Sequence, residues 1–549
     1  MTEDQKVIMR DQPVLIVGGG PVGLTLAVDL GQQGIKCLLI DKRAEPSFLP
    51  KMERCHSRSM EHFRRLGIAD AVRKIGYPED LPLDAFLVRS LAEPAIAQLP
   101  VPSVVEARKQ SERANDGRFP AEPYQIVSQY ALEPLLKSVA ENVRGVTVRF
   151  GCELLSFEEH EDKVVARVRD LNGREETITS RYLVGCDGGS STVRTGLGFR
   201  LEGQANLGEQ MQALFHCEEL FDRFATGKGA HYYRADDQWT FLITQGDTRH
   251  FSLHAMIEDE SAMPALFESM VGMPVSYKTL YVGKWTMRRM LSNRYASKRV
   301  FLAGDSAHLV TPNGGLGMNT GIGDAIDLAW KLAGTLKGWG GEGLLATYEF
   351  ERRLIGERNV KASQRAFEAR LVWRDRCAAE CSAVMESNDQ AARTRLGQVW
   401  LDEHTKGASL AGLGGIILGY RYLQSPIISY ESDDDGADQD SYAYIPTARP
   451  GARIPHLWLK DGSAVQDHLR SGYALITCAP RTEGLEKLGE AFRSLRCPFQ
   501  VLDVSEVPHA REIYSRDYLL LRPDLHVAWR GSSAPTDPAG LAAVVTGRI

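Results

Sequence analysis

Three short sets of glycines and acids are the residues here whose types and spacing can do chemistry. The first is Gly18-x-Gly20-x-x-Gly23, with Asp41 placed 23 residues after Gly18. Glycines so spaced permit a tight turn and bring backbone N–H groups to a pyrophosphate, while an acid about 20 residues on accepts from ribose hydroxyls. The second is Asp187-Gly188-Gly189-Ser190-Ser191, which alone reads equally well as a glycine turn. The third is Gly304-Asp305 followed by Pro312, Gly315, Gly317, Met318 and Asn319. Bare backbone at a helix start, where the helix dipole is positive, favours an anionic or strongly polar ligand.

Each set needs an element to hold it. An apolar run, Val14 to Val17, leads into the first glycines; a helix follows to about Gln32, and the strand Cys37 to Ile40 ends in Asp41. Strand, glycines, helix, strand and acid together form the dinucleotide-binding pattern that isolated glycines would not. A buried strand from Arg181 delivers Asp187, and a short helix begins at Val193 and Arg194. The strand Val300 to Ala303 delivers Gly304. In the helix beyond it, Ile322, Ala325, Ile326, Ala329, Leu332 and Ala333 recur at three- and four-residue spacing, with Asp324, Asp327 and Lys331 on the other face. A further helix is predicted from Ser57, carrying Met60, Phe63 and Leu66 on one side.

Between these elements lie segments of different character. The Pro-rich stretch 81–123 is weakly patterned, and its polar run Glu106 to Gly117 reads as a mobile loop. Strand-like alternation marks residues 208–290, with Phe215, Tyr232, Tyr233, Trp239, Phe241, Phe251 and Trp285, as in a separate antiparallel sheet over an apolar pocket. The chain from Tyr348 to Tyr422 reads as helical. It is followed by YESDDDGADQD, a solvated acidic linker; a calcium loop is excluded because the twelfth position from Asp433 is Tyr444.

Composition narrows the classes. A chain of 549 residues divides into two to four domains. A net charge of −6 gives no support for nucleic-acid or anionic-membrane binding. Nine scattered cysteines, with Cys377 and Cys381 closest, read as reduced thiols of a cytoplasmic protein rather than a disulfide or metal framework. The N-terminal MTEDQKVIMRDQ is too polar for a signal peptide, and four glycines and a proline interrupt the apolar run Val14 to Val28, which is too short to span a bilayer.

GGGPVG, CDGGSSTVR and AGDSAH…PNGGLGMNTG, in this order, resemble the GxGxxG, DG and GD motifs of the group A flavoprotein monooxygenases, the single-component FAD-dependent aromatic hydroxylases. The resemblance covers residues 13 to 370. It implies an α/β fold: a discontinuous Rossmann-like FAD-binding domain (1–80, 124–205, 286–370), an inserted β-sheet substrate domain (81–123, 206–285), and a helical segment with acidic linker (371–447). The stretch 448–549 resembles the thioredoxin-like C-terminal domain of phenol hydroxylase and polyketide-tailoring hydroxylases. It lacks CxxC, with Cys478 alone in ITCAP, so a structural or interface role is expected there, and a homodimer is compatible with it.

Site roles follow from the same resemblance. Gly18, Gly20 and Gly23 would hold the FAD pyrophosphate, Asp41 the adenosine ribose, Gln129 the ribityl region, and Leu154 the adenine. Asp187 is implicated in FAD and nicotinamide contact, Asp305 in ribityl binding, and Gly317, Met318 and Asn319 would present backbone to the flavin pyrimidine ring. Arg43, Lys51, Gly304, Pro312 and Gly315 complete the cofactor-binding set. NAD(P)H would reduce FAD, docking transiently because no second GxGxxG follows a strand, and O2 would add at flavin C4a to give the hydroperoxide that hydroxylates a phenolic or fused aromatic ring. Glu53, Arg54 and Tyr233 are the catalytic candidates, with His231 and Tyr232 as rivals for the substrate base. Two other classes stay open: a flavoprotein reductase or dehydrogenase, and a flavin-binding protein that protects or presents an intermediate. A halogenase is disfavoured by the absence of WxWxIP.

Overall fold

The computed structural model describes residues 9–51, 53–386, 389–405, 413–432, 443–469, 471–479 and 484–548. Residues 1–8 of the polar N-terminus and the acidic stretch from 433 to 442 fall outside the described residues.

Apolar runs with no polar alternation suit strands buried on both faces, and here they build a largely parallel sheet. Strand Met9–Val17 pairs in parallel with Cys37–Asp41 on one side and Glu175–Gly185 on the other. Val146–Phe150 extends the sheet beyond Cys37–Asp41, and Val300–Leu302 pairs in parallel with the end of Glu175–Gly185. The first half of that long strand instead pairs antiparallel with Val164–Asp170, followed by Cys152–Glu159. The parallel strands end on one edge, so Gly18, Asp41, Asp187 and Gly304 all emerge where ligands bind in open α/β sheets.

Helices Pro21–Gln32 and Leu316–Leu336 cover this sheet with an apolar core of Leu24, Val28, Ile322, Ile326 and Leu332. They approach closely because Gly321 has no side chain. A Cβ there would lie 2.6 Å from Val22 Cγ2 and 2.8 Å from Gly304 Cα.

Residues 206–285 form a second seven-stranded sheet together with 85–88 and 97–99. Its order is Lys278–Thr286, Glu209–His216, His250–Ala255, Phe241–Thr244, His231–Arg234, Ala85–Val88, Ala97–Leu99. Period-two alternation sorts the side chains. Met211, Ala213, Phe215, Tyr232, Leu242, Phe251 and Leu253 enter an apolar core. Their neighbours Gln210, Gln212, His231, Tyr233, Phe241, Ser252 and His254 point the other way, towards the first domain, where Gln212 Nε2 donates to Pro50 O.

The C-terminal sheet has Tyr473–Thr477 parallel to Phe499–Asp503 and antiparallel to Tyr518–Leu521, with Val527–Gly531 outermost. Helices Glu486–Ser494 and Pro538–Val545 pack on it, as expected of a thioredoxin-like unit. Among the described residues no helix is long and apolar enough to cross a membrane.

Three expectations are corrected. Residues 106–117 are not a loop: Val104–Ala114 is a helix opened by a capping box between Ser103 and Glu106 and closed by Asn115 in the left-handed region. Arg108 pairs with Glu79 and Glu122, and Asn115 binds the Trp458 backbone, so polar residues meet protein partners rather than water. Among the described residues seven cysteines are free thiols, but Cys381 is disulfide-bonded. Finally, the polar face of helix Leu316–Leu336 is buried: Asp324, Asp327 and Lys331 are each at most 1% exposed. Periodicity identified a second face correctly, but helix Thr347–Glu386 covers it through Glu351 and Arg352, together with Arg522 of the C-terminal domain. Helix Thr347–Glu386 runs through residue 370 without a break.

That buried face holds an ion cluster. Lys331 Nζ lies 2.7 Å from both Asp327 and Glu351, and Arg522 reaches Glu351 at 2.6 Å and Asp327 at 3.1 Å. Burial, helped by Glu351, raises the Asp327 carboxyl to about 7 despite Lys331 and Arg522.

Two outcomes follow. Gly321→Ala gains about 1 kcal/mol of helix propensity but overpacks against backbone at a cost of about 1–3 kcal/mol; a net loss in denaturant-unfolding free energy is expected. A group whose pKa is raised on folding stabilises fully below its unfolded value, and that contribution fades as pH rises through the folded one. Asp327, facing Lys331, Glu351, Arg522 and Asp524, therefore contributes a decline in stability from about pH 4 to 7. Asp327→Asn should flatten it, and an identical slope in the variant refutes the assignment.

Candidate active site

The first glycine loop is tied to the neighbouring strand by Gly18 N–H donating to Ile40 O at 2.8 Å. Asp41 Oδ2 accepts from Gly19 N–H at 2.6 Å, and Arg43 binds the same carboxylate. Burial opposes ionisation of Asp41, but hydrogen bonds from Arg43 and Gly19 outweigh it and lower its pKa. Arg43 also reaches Glu133 at 3.1 Å, and Gln129, the first residue of helix Gln129–Asn142, donates to the same carboxylate. Gly18, Gly20, Gly23, Asp41, Arg43 and Gln129 thus gather at the carboxyl ends of the parallel strands. Leu154 is buried in the core beside it.

Asp187 caps the short helix Thr192–Gly196, accepting from Ser191 Oγ and Val193 N–H, while burial raises its carboxyl. Arg194 then links two motifs, donating to Gly189 O at 2.8 Å and Ser306 O at 3.0 Å. No spacing rule singled out that arginine.

The third motif follows strand Val300–Leu302. Gly304 N–H donates to Asp324 Oδ2 at 3.1 Å. Asp305 is exposed beside the buried Gly304 and Ser306, and loss of water around it raises its carboxyl against the opposing charges of His308 and Lys51. Pro312 O accepts from Gly315 N–H, and a Cβ on Gly317 would stand 4.0 Å from Asp305 Oδ1. Gly315 is the helix cap with φ +62°, and a Cβ there would press within 3.1 Å of Arg54 Cδ.

Asn319 uses its side chain as a clamp. Its Oδ1 accepts from His56 N–H at 2.8 Å and Ser59 Oγ at 2.6 Å, and its Nδ2 donates to Gly315 O and Arg54 O. Helix Ser57–Arg65 is thereby fixed to the start of Leu316–Leu336, where Met318 packs on the core. Arg54 Nε, His56 Nε2 and Asn313 Oδ1 are buried without a protein partner in this region. A ligand edge rich in nitrogen and oxygen, such as the flavin pyrimidine ring, fits those unmet groups.

Arg54 also faces the second sheet. It contacts the Glu53 carboxylate, and its Nη2 lies 2.8 Å from His231 Nε2. A guanidinium cannot accept, so His231 Nε2 presents a lone pair and its proton is assigned to Nδ1. Burial lowers His231, with Arg54 adding and Glu53 opposing. Burial alone would raise Glu53; Arg54, with His231, reverses this and holds it well below the usual carboxylate range. His254 is pushed by burial down to about 4, and its Nδ1 has no partner.

Tyr233 Oη accepts from Arg370 Nη2 at 2.9 Å, with the guanidinium 4.9 Å from the ring centroid. The ring stacks between His231 at 6.3 Å and Phe241 at 5.8 Å. Tyr232 lies on the opposite face, its hydroxyl engaged with Gly227 and Gly229. Sequence reasoning missed Arg370, one charge among many on a 40-residue helix, and Tyr124, whose buried hydroxyl is unpartnered.

Comparison with known proteins shows the family and the fold. Residues 11–363 match the FAD binding domain family and residues 447–548 the aromatic-ring hydroxylase C-terminal domain. The chain is 30% identical to the FAD-dependent monooxygenase apdD of Emericella nidulans, covering 95% of this chain and 87% of that protein. It is 31% identical to a 4-methyl-5-nitrocatechol 5-monooxygenase of a Burkholderia species, covering 96% and 95%. A solved structure of the rebeccamycin biosynthetic enzyme RebC with reduced flavin superposes with a TM-score of 0.87 at 30% identity, over 99% of this chain and 100% of that one. A Rossmann-like core closed by three glycine-acid motifs, an inserted sheet and a thioredoxin-like end, matched along nearly the whole chain, make this protein a member of the FAD-dependent aromatic-ring hydroxylases.

Proposed function

We propose that the protein uses NAD(P)H and O2 to hydroxylate a phenolic or fused aromatic ring held between the polar face of the second sheet and the start of helix Leu316–Leu336. The observation that carries this reading is Arg54, which packs on Gly315 at the flavin end and meets Glu53 and His231 at the substrate face. Bound FAD supplies the redox chemistry, passing two electrons from NAD(P)H to O2, so that one oxygen atom enters the ring and the other leaves as water.

The chain's own residues supply position, charge and dryness. The positive end of helix Leu316–Leu336 favours negative charge at the ligand edge nearest Gly317 to Asn319. Tyr233 Oη already accepts from Arg370, which leaves its own O–H free to donate to a substrate oxygen, and donation by a guanidinium polarises that hydroxyl. Glu53 is held ionised by Arg54, so its role is to fix Arg54 and His231 rather than to shuttle a proton. Phe241, Trp285, Phe367 and Leu371 share an apolar cluster beside the polar face and help exclude water. The lack of a second dinucleotide motif supports transient docking of NAD(P)H.

A hydrogen bond in a charged network contributes about 1.5–3 kcal/mol. Tyr233→Phe should therefore lower kcat/KM by roughly ten- to hundredfold with flavin content unchanged. Glu53→Gln should also lower hydroxylation while FAD stays bound, through loss of the Arg54 anchor. Both are read as substrate-dependent NAD(P)H oxidation with product mass increased by one oxygen. Oxidation that yields only peroxide across a panel of phenols and fused phenolics would sink the hydroxylase reading.

A further inference from the structure

The C-terminal domain sends one turn deep into the flavin domain. Arg522, Asp524 and His526, between strands Tyr518–Leu521 and Val527–Gly531, are 0%, 3% and 1% exposed. Arg522 donates to Glu351 at 2.6 and 3.0 Å, to Asp327 at 3.1 Å and to Asp524 at 2.5 Å. Its guanidinium also lies over Trp330 at 5.1 Å and Tyr422 at 4.8 Å.

Two paths lead from this turn to the flavin end of the cleft. Along helix Leu316–Leu336, Tyr422 Oη accepts from Arg352, which binds Asp324 at 2.8 Å and Thr320 O at 3.1 Å. Asp324 in turn accepts from Gly304 N–H and contacts His308 at 2.8 Å. Along helix Ser57–Arg65, Arg58 Nη2 donates to Asp524 O at 2.8 Å, and the next residue, Ser59, donates to Asn319. One path ends at Gly304 and the other at Asn319, two residues of the proposed flavin end.

We propose that the Arg522–His526 turn is a positioning element of the flavin site, with Arg522 fixing helix Leu316–Leu336 against helix Ser57–Arg65 and setting the charge behind the flavin. Ionised Asp324, Glu351 and Asp524 face Lys331, Arg352 and Arg522, with Asp327, raised by burial, passing between its protonated and ionised forms near neutral pH. Losing Arg522 leaves three ionised carboxylates against two cations, with Asp327 about 15 Å along the helix from Gly317 at 1.5 Å per residue. Uncompensated negative charge behind the helix opposes charge gain by the flavin, and the freed carboxylates let the helix shift. The proposal rests on FAD occupying the cleft.

The test uses the full chain with Arg522→Met and Arg522→Lys, comparing unfolding of the flavin-free protein, FAD affinity by fluorescence titration, and the midpoint potential of bound flavin. Arg522→Met should weaken FAD binding on the order of tenfold, within the range of couplings carried by residues outside a site, and shift the potential downward. Arg522→Lys, which keeps the charge but loses the fork, should restore the potential and leave affinity reduced. A folded Arg522→Met protein, whatever its unfolding midpoint, with wild-type affinity and potential overturns the proposal and reduces Arg522 to a stability role. If the Met variant does not fold, wild-type affinity in Arg522→Lys overturns it. Wild-type protein that takes up no FAD would instead defeat the flavin assignment itself.

Discussion

The carboxylate of Asp324 is the constraint on which the rest of the site depends. Fully buried on helix Leu316–Leu336, it holds the Gly304 N–H, His308 and Arg352 at once. Moving a carboxylate out of water costs several kcal/mol even after relaxation, and burying an ion pair often yields no net stability over apolar packing. Such a group is therefore a weak source of stability but a strong source of geometry. Arg352 lowers its pKa against the burial that would raise it, so it stays ionised and continues to orient the Gly304–Asp305 turn. The flavin end of the cleft is set by charge placement, not by apolar packing alone.

This explains what could be read from the chain and what could not. The parallel sheet was legible because strands buried on both faces are continuous apolar runs, and Gly18, Asp41, Asp187 and Gly304 sit at fixed offsets from their ends. The second sheet was legible as alternation, with Tyr232 and Tyr233 falling on opposite faces. Helix Val104–Ala114 was missed because a polar helix has no apolar stripe; its Ser103 and Glu106 capping box was the available signal. The burial of Asp327 and Lys331 was not legible at all, since Arg522, which pairs with Asp327, lies 195 residues after it, and Glu351, which pairs with Lys331, lies on another helix.

The same division separates the two halves of the active site. The proposed cofactor contacts fall largely to backbone and turns, whose requirements are local and leave glycine spacings in the sequence. The proposed substrate contacts fall to side chains that three distant segments bring together: Glu53 and Arg54 at the start of the short strand Arg54–Cys55, His231 and Tyr233 from a strand, and Arg370 from a long helix. No offset rule links them, so Glu53, Arg54 and Tyr233 entered by resemblance while Arg370 did not enter.

Arg54 shows why the two halves are coupled nonetheless. Its stem packs on Gly315, its carbonyl accepts from Asn319, and its guanidinium meets Glu53 and His231. A shift of helix Leu316–Leu336 therefore moves the wall of the substrate face as well as the flavin edge. Because Asp324 fixes that helix from behind and Asn319 from in front, the proposed placement of a reacting ring against the flavin rests on hydrogen bonds away from both. In a reaction whose rate depends on near-contact geometry, a displacement of about 1 Å is costly. A buried charge that adds little stability can thus be retained for the alignment it imposes.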